Sequence, residues 1–500
     1  MRSSGVQCVS GSVFVKAPCG LIEGRRRGRV KRFLGIPYAM PPIGQKRFGA
    51  PLRRETLPGC YRAVDFGPSA PQRKALPRPL AAIARFASET SEDCLNLHVF
   101  TPGRKGRRPV LVFIHGGGFF LGSGSQYAGD ELAARGDIVV VSINYRLGLL
   151  GFNAFTELFG DDERFVANAG LLDQRMALEW VRDNIEAFGG DPERITIAGE
   201  SAGAASVGYH LVTDGSKTLF SQAICQSGAV NMFHPRAKAV EISRAAFAML
   251  CPGGNRETLF DLPAGQFVRA FSALSAMFPG IPTMPYVDGR ELPDETLPQI
   301  YARVKSVPLL IGTNRDEFTL FVDLPGFSFP VGANDLLSWV ERTGGAERAE
   351  RVSGVYSADK SGSTAFGTDI LFRSAAIRFA EVHSREAPTF MYRLDWRAKG
   401  LLQRLGATHS VDLPLIFDQF LRPFRSVYLG VLPDPARQRL ALRMQDHWTH
   451  FVRTGRPGED WPAYAPERRS TMIFGVSDRI EDDPDEPRRT AWEGLDGFVP

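Results

Sequence analysis

Ile195 to Ala198 is an apolar, β-branched run; Gly199-Glu200-Ser201-Ala202-Gly203 follows it, and small residues then open a helical stretch. A serine at the tip of a tight strand-to-helix turn is forced into a strained backbone conformation. Only glycine-sized neighbours two positions to either side let the chain bend there without clashes. Such a turn lifts the Ser201 hydroxyl above the sheet edge, at the positive end of a helix, where it can attack a carbonyl carbon. Upstream, Phe113-Ile114 ends a second apolar run and His115-Gly116-Gly117-Gly118-Phe119-Phe120 follows. Backbone amides in a loop without side chains can approach a ligand closely and point at negative charge on a carbonyl oxygen. One such donor lowers a barrier by about 3 kcal/mol, and the amide of Ala202, just after the serine, is its natural partner. The two motifs together describe acyl transfer to a serine with the oxyanion held by main-chain N–H groups.

That chemistry needs a base and an acid. Of eight histidines, His98 alternates within a strand-like run and His115 belongs to the glycine loop. His210 lies at the far end of the helix that Ser201 opens, and His383, His447 and His450 sit in amphipathic helical contexts. His447 and His450 share a helix face, but no carboxylates at matching spacing make them metal ligands. His234 and His409 remain. The order expected on such a sheet is serine, acid, histidine; His234 follows the serine too closely, so His409, in the small-residue loop Gly406 to Pro414, is the candidate base. The acid should end a strand, and Leu309-Leu310-Ile311-Gly312-Thr313-Asn314 leads into Arg315-Asp316-Glu317. From the residues alone, Asp316 and Glu317 are equal candidates.

The elements that must position these groups are legible as alternating strands and helices. Pro109–Ile114, Asp137–Asn144, Arg194–Ala198, Ser221–Gln226 and Val307–Ile311 are short, nearly continuous apolar runs, as expected of a parallel sheet covered on both faces. Leu171 to Phe188 places Leu172, Met176, Trp180, Val181, Ile185 and Phe188 on one helical face, with Asn168 as its expected cap and Gly189-Gly190 as its stop. Residues 231–304 read as mostly helical, an insertion beside the sheet. We therefore expect an α/β fold: an N-terminal tail over 1–11 and a single domain over 12–500.

Composition agrees. The 500 residues are 43% hydrophobic and 23% charged, which excludes a disordered or collagen-like chain. No stretch approaches the roughly 20 apolar residues of a membrane helix. No secretory leader is evident either, so the cytoplasm is the expected compartment. Net charge is +5 from 60 basic and 55 acidic residues. The Arg25 to Arg32 cluster is expected to be a solvated turn between two N-terminal strands, with no nucleic-acid partner. Glu481 to Glu486 is expected to be plain surface. Six cysteines with irregular spacing and no C-x-x-C read as reduced and structural.

With these motifs in place, the chain resembles the type-B carboxylesterases, the cholinesterase-like branch of the α/β-hydrolases, and is most similar to the bacterial para-nitrobenzyl-esterase-like members. The resemblance spans about Ala17 to Asp496. It rests on Arg32-Phe33-Leu34-Gly35-Ile36-Pro37-Tyr38-Ala39, Ser91-Glu92-Asp93-Cys94-Leu95-Asn96-Leu97, Asn144-Tyr145-Arg146-Leu147-Gly148, Phe188-Gly189-Gly190-Asp191-Pro192, the Ser201 pentapeptide and Gln226-Ser227-Gly228. It implies a large, mostly parallel sheet with helices on both faces and helical insertions around the pocket. It further implies Ser201 as nucleophile, His409 as base, Glu317 rather than Asp316 as acid, and Gly117, Gly118 and Ala202 as oxyanion donors, with Ser227 near the histidine. No metal or organic cofactor is needed, and the expected partner is a small ester, short- to medium-chain or aryl. Phe119, Phe120 and the segments Phe271 to Phe278 and Phe318 to Phe329 are expected to line an apolar pocket.

Several positions depart from the family pattern. Phe318 stands where glycine usually follows the acid. The usual partner of Cys94 is absent, so a pairing with the offset Cys60 is not favoured, and Cys251 lacks a downstream partner. Residues 60–93 contain no tryptophan to bind a quaternary ammonium, which argues against choline esters. Two rival readings are a non-catalytic binding scaffold, whose family members have typically lost the serine, and a hydrolase of amides, carbamates or long-chain lipids. Oligomeric state is left open.

Overall fold

The structure is a computed structural model that describes residues 11–73, 89–160, 162–278, 280–323, 333–397, 403–418 and 434–495, with isolated positions 399 and 429. Of the expected N-terminal tail only residue 11 is among them. Thirteen strands form one sheet: β1 (Ser12–Ala17), β2 (Gly20–Arg27), β3 (Val30–Pro37), β4 (Cys60–Arg62), β5 (Asn96–Thr101), β6 (Arg108–Ile114), β7 (Val139–Ile143), β8 (Gly190–Glu200), β9 (Gln222–Gln226), β10 (Leu309–Asn314), β11 (Thr389–Leu394), β12 (Ser470–Phe474) and β13 (Arg479–Asp482). Their order is β1-β2-β3-β5-β7-β6-β8-β9-β10-β11-β12-β13, with β4 beside β2. From β7 to β12 all neighbours are parallel, and antiparallel strands close both sides.

Strand periodicity divides the core in two. Val110, Val112, Ile114, Ile195, Ile197 and Ala223 face one cluster, shared with Ala177, Val181 and Ala204 of the helices Ala169–Asn184 and Ala202–Val212. Leu111, Phe113, Ile224 and Leu310 face the other, shared with Leu132 of Asp130–Gly136 and with Met444, Trp448 and Phe451 of Pro435–Thr454. Alternate residues of each central strand thus bury apolar surface on opposite sides. This is the two-sided cover that the continuous apolar runs imply.

Locally, some expectations need correction. The helix expected over 171–188 runs Ala169–Asn184 and tightens into a 3-10 turn at Ile185–Phe188. Asn168 stands at its N-cap, and its carbonyl accepts from Leu171 and Leu172, but its side chain makes no capping bond. Its backbone is left-handed (φ 51°), and its amide instead exchanges two hydrogen bonds with the main chain of Tyr286, both 2.9 Å. The stretch from 231 to 304 contains the helices Arg236–Leu250, Thr258–Asp261, Ala264–Met277 and Leu297–Tyr301. The first three carry their own aromatic cluster, in which Phe260 and Phe267 meet Phe48. The Arg25 to Arg32 run forms the antiparallel β2–β3 hairpin, with Arg25 opposite Arg32 and the turn at Gly28-Arg29. Arg32 reaches Asp130 through two hydrogen bonds, 2.6 and 2.5 Å. The acidic residues of the 481–486 cluster lie exposed or half-buried, as expected, and are ion-paired there: Asp483 with Arg489, and Asp485 with Arg393 and Arg488.

One buried ion pair ties the sheet to the loops above it. After β7, Arg146 meets Asp173 with its Nε and a terminal nitrogen (2.7 and 2.6 Å), and both side chains are almost fully buried. Another terminal nitrogen donates to the carbonyls of Arg47 and Gly49. The neighbouring Tyr145 hydroxyl donates to the His115 carbonyl (2.8 Å) and its ring stacks on His115, while Gly148 N–H donates to Phe119. The glycine loop therefore rests on a segment that the Arg146–Asp173 pair holds. Removing one member of such a pair strands a buried charge. Asp173→Ala is expected to lower unfolding free energy by about 3–5 kcal/mol in a urea titration. A loss below about 1 kcal/mol would show that the pair behaves like an exposed one.

Candidate active site

Ser201 sits between β8 and the helix Ala202–Val212 with φ 58° and ψ −125°, a conformation a non-glycine residue adopts only under constraint. The constraint is close backbone contact. A methyl group on Gly203 would lie 2.1 Å from the Ile114 carbonyl oxygen, and one on Gly228 2.6 Å from the Ser201 carbonyl oxygen. A methyl on Gly199 would lie 2.3 Å from the backbone of Gly203. Ser201 N–H donates to Gln226 (2.8 Å), and its carbonyl accepts from Ala205 (2.9 Å). Glycine at these positions is what lets the helix start pack against the loop after β6.

That loop carries Gly117 (φ 102°) and Gly118 (φ 60°), both in the left-handed region that favours glycine. The Gly117 carbonyl turns inward to accept from Phe120 and Leu121. Among the described residues, the amides of Gly117 and Gly118 donate no backbone hydrogen bond. The amide of Ala202, first in its helix, lacks an intrahelical acceptor by construction. Three free donors thus border the turn on which Ser201 stands.

Glu317 and His409 meet. Glu317 follows β10 and is fully buried; its Oε2 lies 2.6 Å from His409 Nδ1, and its Oε1 accepts from Asn314 N–H at 2.6 Å. The imidazole therefore carries its Nδ1 proton toward Glu317, and Nε2 faces Glu200, the residue before Ser201. Asp316 points elsewhere: its Oδ2 accepts from Ala407 N–H (2.9 Å), and its own N–H donates to the Ala407 carbonyl. It clips the histidine loop in place. Asn314 adds a bond to the Thr408 carbonyl. Phe318 is accommodated by a second glycine: its ring fills the space beside Gly367, where a methyl would lie 2.1 Å away, and its N–H donates to Thr368 Oγ1.

Among the described residues, Ser201 Oγ makes no hydrogen bond, and His409 Nε2 instead lies 3.2 Å from Glu200 Oε1. Catalytic hydrogen bonds of this kind are often long without substrate and tighten in the complex. Glu200, a member of the serine motif that sequence reasoning gave no role, is buried, and burial raises its proton affinity above that of an ordinary carboxylate. Burial alone would depress His409, but the charges of Glu200 and Glu317 outweigh it and raise its pKa. Asp412, also missed, is fully buried below; it accepts from Gln226 Nε2 (2.6 Å), and burial raises its pKa. Ser227 has φ 54° and a buried hydroxyl that finds no hydrogen-bond partner among the described residues.

The aromatic residues divide differently from expectation. Phe119 is fully buried against Phe152 and belongs to the core. Phe120 stacks on Phe271 at 4.6 Å, next to Gly118. Phe372 and Phe321, with ring centroids 4.7 and 5.2 Å from that of His409, flank the imidazole. Phe372 sits on the π-helical turn Asp369–Arg373, which periodicity does not reveal. Phe327 and Phe329 lie outside the described residues. Cys60 and Cys94 are separate free thiols. No helix among the described residues is long and apolar enough to cross a membrane.

A strained serine, free main-chain donors and a carboxylate-bound imidazole suit acyl transfer, and comparison with known proteins points the same way. The carboxylesterase family model matches residues 11–334 and 346–492. Para-nitrobenzyl esterase of Bacillus subtilis is 36% identical over 94% of this chain and 96% of its own. Phenmedipham hydrolase of Pseudarthrobacter oxydans is 32% identical over 89% of this chain and 91% of its own. A solved structure of a thermophilic PNB esterase superposes with a TM-score of 0.86 at 35% identity, covering 96% of this chain and 99% of the other. The chain belongs to the carboxylesterase family of α/β-hydrolases and is a carboxylic ester hydrolase.

Proposed function

We propose that ester hydrolysis proceeds by two-step acyl transfer with Ser201 as nucleophile, His409 as general base and acid, and Glu317 as the carboxylate that orients the imidazole. The observation that carries this reading is the 2.6 Å contact of Glu317 with His409 Nδ1, which makes Nε2 the ring nitrogen that takes the proton of Ser201. As Ser201 Oγ bonds to the carbonyl carbon, its proton passes to Nε2, and the developing oxyanion is held by the amides of Gly117, Gly118 and Ala202. Collapse expels the alcohol, which takes the proton from Nε2. Water then attacks the acyl-enzyme, giving its proton to Nε2, and Ser201 recovers it as the acid leaves.

The preferred substrates are short- to medium-chain or aryl esters. Support comes from the aromatic pair Phe120/Phe271 beside Gly118, from Phe321 and Phe372 beside His409, and from a relative named for a para-nitrobenzyl ester. We also place the protein in the cytoplasm, on the irregular spacing of its six cysteines.

Hydrolysis of para-nitrophenyl butyrate tests the assignment. Ser201→Ala is expected to reduce kcat by on the order of 10⁵–10⁶; equal rates in the two proteins would remove Ser201 from the mechanism. Inactivity of the folded parent on this ester and its acetate would favour the binding-scaffold reading, and a preference for emulsified long acyl chains would favour a lipase. The two neighbouring acids separate cleanly. Glu317→Gln should lower kcat by on the order of 10⁴, through the wrong imidazole tautomer. Asp316→Asn, whose contact is with a backbone amide, should stay within about tenfold of the parent. The reverse ranking would make Asp316 the acid.

A further inference from the structure

We propose that Ser410 is a positioning residue that sets how readily His409 becomes a free base, by holding the carboxylate of Glu200 against the imidazole. The inference rests on the catalytic roles proposed above for Ser201 and His409.

Ser410 Oγ donates to Glu200 Oε1 at 2.5 Å, and the same oxygen lies 3.2 Å from His409 Nε2. With Nδ1–H directed at Glu317, Nε2 of a neutral ring presents only a lone pair. At this distance the charge of the Glu200 carboxylate attracts a proton on Nε2 and repels the bare lone pair. The pair therefore favours the protonated imidazole. Until that proton leaves, Nε2 cannot accept from Ser201.

The Ser410 hydroxyl acts on that proton. A donor hydrogen bond stabilises the carboxylate of Glu200, and most strongly once the imidazole has lost its proton and its positive charge. Ser410 thus lowers the pKa at which the pair gives up its last proton. The remaining titratable groups around the pair are Glu317, beyond β10, Asp412, in the histidine loop, and Tyr392, on β11; each contributes negative charge or neutral bulk, and no cation faces the pair among the described residues. Raised proton affinities of Glu200 and His409 agree with this arrangement. The backbone supports it too: Ser410 has φ 64°, a conformation in which glycine is the comfortable residue, so a serine there carries strain while its hydroxyl reaches Glu200.

Because glycine fits that conformation, Ser410→Gly removes the hydroxyl without threatening the fold, and a thermal midpoint no lower than the parent's checks this. The sign follows from the chemistry. Only the neutral imidazole accepts the Ser201 proton, so kcat/KM falls as pH drops through the pair's last pKa. Loss of the hydroxyl raises that pKa, and the acid limb of the kcat/KM profile should move to higher pH by about one unit, with the alkaline plateau little changed. In a Glu200→Gln background the limb should lie lower than in the parent, and adding Ser410→Gly should produce no further shift. An unmoved acid limb in Ser410→Gly, or the same shift with and without Glu200, would overturn the proposal. Failure of the underlying mechanism is read separately, as undiminished activity of Ser201→Ala.

Discussion

The contact of one stretch of main chain on another, without intervening side chains, governs this site. Gly203 lies against the Ile114 carbonyl, Gly228 against the Ser201 carbonyl, and Gly199 against Gly203. These approaches press the first turn of the Ala202–Val212 helix onto the loop after β6 and hold Ser201 at φ 58°, ψ −125°. A strained conformation of this kind costs of the order of 1–3 kcal/mol and persists only because the parallel strands β6, β8 and β9 leave the turn no room to relax. The same closeness sets the first turn of that helix against His115, and Gly116 against Ser201, at the head of the glycine loop. The serine turn and the loop that carries the proposed oxyanion donors are thus one packing solution.

His409 and Glu317 come from the other half of the sheet. Asn314 ends β10, Asp316 and Glu317 follow it, and each grips the histidine loop differently: Asn314 at the Thr408 carbonyl, Asp316 at the Ala407 main chain, Glu317 at the imidazole. Two adjacent carboxylates thus take different partners, one the loop's main chain and the other the imidazole. Around them lie the buried carboxyl groups of Glu200 and Asp412, so the imidazole is surrounded by acidic groups. In the proposed acyl transfer, such a setting favours the imidazolium that would form, and it also holds back the free base. Ser410 lies where these opposing demands meet.

Much of this arrangement is legible in the residues. Apolar runs of five or six residues announce strands covered on both faces, and the glycines around Ser201 and after Ile114 are there because a Cβ would strike backbone. Other features have no local signature. Asn168 looks like a helix cap, yet its amide is taken by Tyr286, 118 residues away in sequence. Phe119 and Phe120 are neighbours in the chain, but the positive φ of Phe119 (64°) turns it into the core while Phe120 stays beside Gly118. The choice between Asp316 and Glu317 depends on which side of a turn each carboxylate leaves, and family resemblance supplies it where pattern cannot. Glu200 and Ser410 meet across 210 positions, a contact that exists only once β8 and the histidine loop are assembled.

Acyl transfer as proposed requires that the strained serine at the end of β8 be the group that becomes acylated. A phosphonofluoridate ester tests it directly, because the attacking oxygen displaces fluoride from phosphorus and stays covalently bound. After stoichiometric inactivation and proteolysis, mass spectrometry should find one adduct per chain, on the peptide containing Ser201, and none on Ser201→Ala under the same conditions. Inactivation with the adduct on any other residue, or continued ester hydrolysis by the fully labelled Ser201 protein, would contradict the account.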